Sequence, residues 1–168
     1  MQYTRFVLWL LAAGAALVTA CVNPPDYPDE PVIQYEGVNK NTIYQFTNGP
    51  LDSITIQFSF TDGDGNLSTP DSADIFFRDS RFPNIEPTAL SFPVIPAEGT
   101  GNGISGDVFF TLINEAQSVC CAFNDRFCIA DERFPVDTFS YFIYIQDRDG
   151  NVSNTIQTEQ IQILCLNQ

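Results

Sequence analysis

Histidine is absent from the 168 residues, and tryptophan, lysine and methionine occur once each, as Trp9, Lys40 and Met1. Without an imidazole there is no Ser-His-Asp triad, no His-ligated zinc and no imidazole general base. Hydrolysis by a carboxylate pair is the catalytic route that composition leaves open. However, the Asp residues gather in turn-like strings rather than at strand ends facing an apolar pocket, so the expectation is a chain without catalytic residues. Basic side chains are also scarce, 7 against 21 acidic ones, for a net charge of −14. A polyanion is repelled by such a surface, which argues against nucleic acid and anionic headgroups as direct partners and leaves cations or cationic surfaces. Acidity of this kind also serves solubility alone.

The long apolar run is confined to the N-terminus. "MQYTR" carries one positive charge and is followed by "FVLWLLAAGAALVTA", shorter than the about 20 residues that span a bilayer and shaped like a secretory signal. The run ends in Val18-Thr19-Ala20-Cys21, which resembles the lipobox of bacterial lipoproteins. The resemblance implies cleavage before Cys21, acylation of its sulfur and anchorage at a membrane, with residues 1–20 as the signal. Each buried methylene of such chains contributes about 0.8 kcal/mol. Residues 21–31 hold Pro24, Pro25, Pro28 and Pro31 among acidic residues. They read as an extended tether able to lift a domain roughly 30 Å from the bilayer. Val22 rather than Asp follows the Cys, which leans towards the outer membrane. Residues 32–168 are long enough for one domain with a core.

Four further cysteines, Cys120, Cys121, Cys128 and Cys165, suggest two disulfides in an exported chain. A bond between the adjacent Cys120 and Cys121 would be strained, because neighbouring Cα atoms lie only about 3.8 Å apart. Neighbours on an extended backbone also point to opposite sides. One of the two is therefore expected to close the short loop to Cys128, and the other to reach Cys165. No Cys-x-x-Cys redox motif is present.

Alternation with period two governs the rest. "SITIQFSFT" (53–61) places Ile54, Ile56, Phe58 and Phe60 on one face and Ser53, Thr55, Gln57 and Ser59 on the other, a half-buried strand. Residues 74–79, 106–113, 138–146 and 155–164 read as further strands rich in aromatic and β-branched residues. Residues 32–36 and 89–95 are weaker candidates, the second an edge because of Pro93. About seven short strands predict an all-β, two-sheet antiparallel sandwich. Asp137 four residues before Tyr141 looks like a tyrosine corner, and the closing "DRDGNVSNTIQTEQIQI" is similar to the last hairpin of immunoglobulin-like domains. With its lipobox, the chain resembles the small Ig-like lipoproteins of Bacteroidota. That family lends an immunoglobulin-like sandwich and an envelope location rather than an activity. In the same phylum Asp-[Ser/Thr]-aliphatic triplets accept O-linked glycans, a pattern met at Asp52-Ser53-Ile54 and Asp71-Ser72-Ala73.

Two segments then stand out as near-copies, "TDGDGNLS" (61–68) and "QDRDGNVS" (146–153). Each follows a predicted strand, and in an Ig-like sandwich these would be the second and sixth, in opposite sheets with their loops at one end. Asp62, Asp64, Asn66, Asp147, Asp149 and Asn151 could then offer six oxygen-bearing side chains to a hard cation such as calcium. Neither copy is an EF-hand: Leu67 and Val152 stand at position six, Ala73 and Thr158 at position twelve. The alternative is plain turn chemistry, since Asp-Gly and Gly-Asn favour turns and Asp and Asn bond their own backbone. "GNGISG" (101–106) fits a dinucleotide loop only on paper, because a strand rather than a helix follows it. The functional expectation is a lipid-anchored module with a binding or structural role in an envelope assembly. The alternative is a calcium-dependent glycan-binding lipoprotein using Tyr residues or Phe82, Phe123 and Phe127 as its platform.

Overall fold

The computed structural model describes residues 26–45, 51–68, 73–93, 95, 103–115, 119–123, 126–128 and 131–166. The apolar leader, Cys21 and the Asp71-Ser72 pair lie outside the described residues. Among those described there is no helix; the elements are β1 (Val32–Val38), β2 (Thr42–Tyr44), β3 (Ser53–Asp62), β4 (Ile75–Asp79), β5 (Thr88–Leu90), β6 (Ile104–Ile113), β7 (Ala122–Phe123), β8 (Arg126–Phe127), β9 (Val136–Phe139), β10 (Tyr141–Ile145), β11 (Ile156–Gln157) and β12 (Ile161–Leu164).

Two multi-strand antiparallel sheets carry the architecture, with orders β1-β3-β6 and β11-β10-β4-β5. β3 is central to the first sheet. Ile54, Ile56, Phe58 and Phe60 are buried while the residues between them are half-exposed, so the predicted alternation becomes the inner face of the core. β10 does the same for the second sheet through Ile143 and Ile145. Each such side chain contributes about 1.5–3 kcal/mol on burial. The sheets meet face to face: Phe77 of β4 lies 4.3 Å, centroid to centroid, from Phe110 of β6. This arrangement is consistent with a β-sandwich.

The segments outnumber the seven or so expected strands because long strands are interrupted. The predicted strand 138–146 is split at Ser140, whose N–H and C=O turn aside to the Oγ and N–H of Ser80. The predicted strand 155–164 is split near Thr158, which donates its N–H to Tyr141 O and accepts the Tyr141 N–H on its hydroxyl. The sheet β2-β12-β9 also contains one parallel pair, β2 with β12, where only antiparallel pairing was expected. Three residues of Thr-Ile-Tyr carry too little pattern to announce it. Asp137 does not serve Tyr141: its Oδ2 accepts Arg81 Nη1 at 2.5 Å and the Ala122 N–H at 2.9 Å. Disulfides join Cys120 to Cys128 and Cys121 to Cys165, the connectivity expected from the adjacency argument.

Candidate metal centre

The two near-identical loops follow β3 and β10, which belong to different sheets. Both use the same local device. In the first, Asp62 Oδ2 accepts the Asn66 N–H at 2.9 Å; in the second, Asp147 Oδ1 accepts the Asn151 N–H at 2.8 Å. Gly65 and Gly150 supply the left-handed backbone each turn needs, at φ 67° and 90°. The turn chemistry is thus real in both copies, and it uses only part of the oxygen available.

The rest converges. Carboxylate oxygens of Asp62, Asp64 and Asp147 all lie within 4.8 Å of one another, a span that one calcium ion with oxygens at about 2.3–2.6 Å bridges. Asp62 has no exposed surface and Asp147 very little. Three oxygens of the first loop, Asp62 Oδ1, Asp64 Oδ1 and Asn66 Oδ1, are shielded from water and accept no hydrogen bond. A buried polar atom left unpaired costs about 1–3 kcal/mol, more when it is charged. Asp62 is accordingly pushed up to about 6, first by burial and then by the charges of Asp64 and Asp147, against the N–H groups of Asn66 and Leu67.

The six predicted ligands separate into three roles. Asp62, Asp64 and Asp147 form the cluster, and Asn66 adds an unpaired oxygen to it. Asp149 is exposed and meets the first loop through Asn66 Nδ2, at 3.0 Å. Asn151 is turned inward on its own loop, donating Nδ2 to Asp147 Oδ2 at 2.7 Å.

Three supporting residues escaped the sequence reading. Arg148 crosses between the loops and donates Nε to Ser68 O at 2.7 Å and Nη2 to Leu67 O at 3.2 Å. Leu67 is fully buried and plugs the floor. Ser153 donates its N–H to Ile145 O, and its Oγ accepts the Ile145 N–H, at 3.0 Å each. One difference between the copies, Gly63 against Arg148, also has a cause. Gly63 donates its N–H to Pro28 O at 2.8 Å, and a Cβ there would stand 2.3 Å from Tyr27 O. Only glycine lets the incoming chain pass, whereas the second loop is free to carry the clamping arginine.

The proposed aromatic trio is not one surface. Phe82 packs on Phe127 at 4.8 Å, tilted by 50°, while Phe123 stacks on Phe134 at 4.9 Å. No known family model, curated protein or solved structure matches this chain.

Proposed function

We propose that this chain is a non-catalytic, lipid-anchored envelope module of immunoglobulin-like type, whose binding or structural role depends on a hard divalent cation held between its two Asp-rich loops. The observation that carries the reading is the buried oxygen cluster of Asp62, Asp64 and Asp147 with its unpaired neighbours. An all-oxygen, mostly anionic donor set matches calcium rather than zinc or copper. When bound, the ion would bridge two loops that belong to different sheets and so brace that end of the molecule.

The strand order supports the immunoglobulin-like reading. β1-β3-β6 facing β11-β10-β4-β5 corresponds to an A-B-E sheet against a G-F-C sheet extended by C′, with Greek-key connections. The lipobox at Cys21, the tether and the paired cysteines support an exported, membrane-held protein, with the outer membrane as its place and an envelope protein as the partner to seek.

Thermal melting with and without calcium tests the cation. Millimolar calcium is expected to raise Tm by several degrees, as mass action requires when an ion binds only the folded state. The same addition should leave the Asp62→Asn variant nearly unmoved. A wild-type Tm indifferent to calcium, magnesium and EDTA would remove the metal from the proposal.

A further inference from the structure

The outward face of the β11-β10-β4-β5 sheet carries aromatic rings where an antiparallel sheet ordinarily meets water with polar groups. Phe142 and Tyr144 of β10, and Phe76 and Arg78 of β4, alternate with the buried Ile143, Ile145, Ile75 and Phe77. They stand as two cross-strand pairs, Arg78 opposite Phe142 and Phe76 opposite Tyr144. The Phe76 and Tyr144 rings stack 4.8 Å apart and 9° from parallel, which fixes the Tyr144 ring by covering one of its faces. Pro83 on one flank, with Val152 and Thr155 on the other, completes a groove of about 470 Å³ over Arg78, Phe142 and Tyr144. Small-molecule sites occupy about 300–1,000 Å³.

Arg78 gives the groove its chemistry. Its Nε is shielded from water and has no hydrogen-bond partner, and no described carboxylate forms an ion pair with it. The contrast with its neighbours is plain: Arg81 and Arg133 are paired with carboxylates, and Arg148 is spent on backbone carbonyls. In a chain with 21 acidic residues, an arginine kept unpaired between aromatic rings is a selective seat for an anion. A guanidinium fork takes a planar carboxylate through two parallel N–H bonds. Phe142 and Tyr144 offer apolar ring surface beside it, and the hydroxyls of Tyr144 and Thr155 belong to residues that line the groove. An extended peptide would instead be expected to add to a sheet edge, and this groove lies over two strands that are already paired to each other.

We propose that this groove binds a carboxylated sugar, its ring lying on Tyr144 and Phe142 and its carboxylate on the Arg78 guanidinium. The site is separate from the Asp cluster and does not require it.

The test is calorimetric titration of the full chain in detergent with a panel of oligosaccharides that carry a single carboxylate, such as sialyl- and terminally glucuronylated oligosaccharides, against neutral oligosaccharides of equal length. Saturable binding of an acidic sugar is expected, with affinity reduced at least about tenfold in Arg78→Gln. Arg78→Lys should recover part of that loss, because it keeps the charge but not the fork, and Tyr144→Ala should weaken binding at an unchanged carboxylate preference. Melting curves for each variant establish that it is folded. Equal binding of neutral sugars, wild-type affinity in a folded Arg78→Gln, tighter binding of an acidic peptide, or no saturation by any acidic sugar would each overturn the proposal. Titrations run both with calcium and in EDTA keep this result apart from the cation: binding is expected in both, and binding that is lost in EDTA would overturn the groove as an independent site.

Discussion

Asp62 is a carboxylate without exposed surface, flanked by two of its own charge. Because its pKa is raised from 3.8 to about 6, the metal-free folded state holds a proton that the unfolded chain has already released. That contribution to stability is complete below the unfolded pKa and is lost as pH rises through about 4 to 6. The metal-free protein should therefore melt lower at pH 7 than at pH 4.5, and Asp62→Asn should flatten that difference. Calcium needs the ionised form, so its stabilisation should grow with pH over the same window. Parallel pH profiles for wild type and variant would discard this account of Asp62. In the sequence Asp64 and Asp149 are equivalent members of two repeats, yet Asp64 is half-buried in the cluster and Asp149 is exposed. Only burial separates them, and burial is a property of what the rest of the chain lays over a residue.

The loops differ from an isolated Asp-Gly turn because of the strands that deliver them. β3 and β10 were legible from alternation alone, since Ile54 to Phe60 and Ile143 with Ile145 repeat the period of a pleated strand. The breaks at Ser140 and Thr158 were not, because each depends on a side-chain hydroxyl meeting a backbone group 17 or 60 positions away. Cross-links complete this layer. Cys121–Cys165 spans 44 residues and fastens the segment before β7 to the chain just after β12, whereas Cys120–Cys128 closes 8 around the β7-β8 hairpin. Loop-closure entropy places the longer link at about 4 kcal/mol and the shorter one lower. Replacing Cys121 and Cys165 together by Ala should thus cost more, by denaturant unfolding, than replacing Cys120 and Cys128. A larger loss from the short loop would show that native-state packing rather than chain entropy dominates.

The entry of the chain orients the whole molecule. Val32 of β1 pairs with Thr61 at the end of β3, and Pro28 lies against Gly63, so the tether joins the sandwich at the end that holds the Asp cluster. With Cys21 acylated as proposed, that end would be the one the anchor joins. Metabolic labelling with an acyl probe should therefore mark the wild-type chain and fail on Cys21→Ser, which should also leave the membrane fraction. Retention of Cys21→Ser in washed membranes would point to a different anchor.

Composition and periodicity alone determined an all-β chain, its principal strands, two disulfides that tie the Cys120–Cys121 pair to Cys128 and Cys165, and the pair of repeated Asp-rich loops. Those are properties of local pattern and of covalent reach, which a linear chain carries in full. Tertiary structure alone decided that three of six candidate carboxylates and amides converge as a cluster, with a fourth oxygen beside them. It also decided that Gly63 exists for the tether, that Arg148 clamps the opposite loop, and that Arg78 stands unpaired among aromatic rings. Each of these depends on which distant residues exclude water from a given atom, and exclusion is set by packing between sheets rather than by neighbours along the chain.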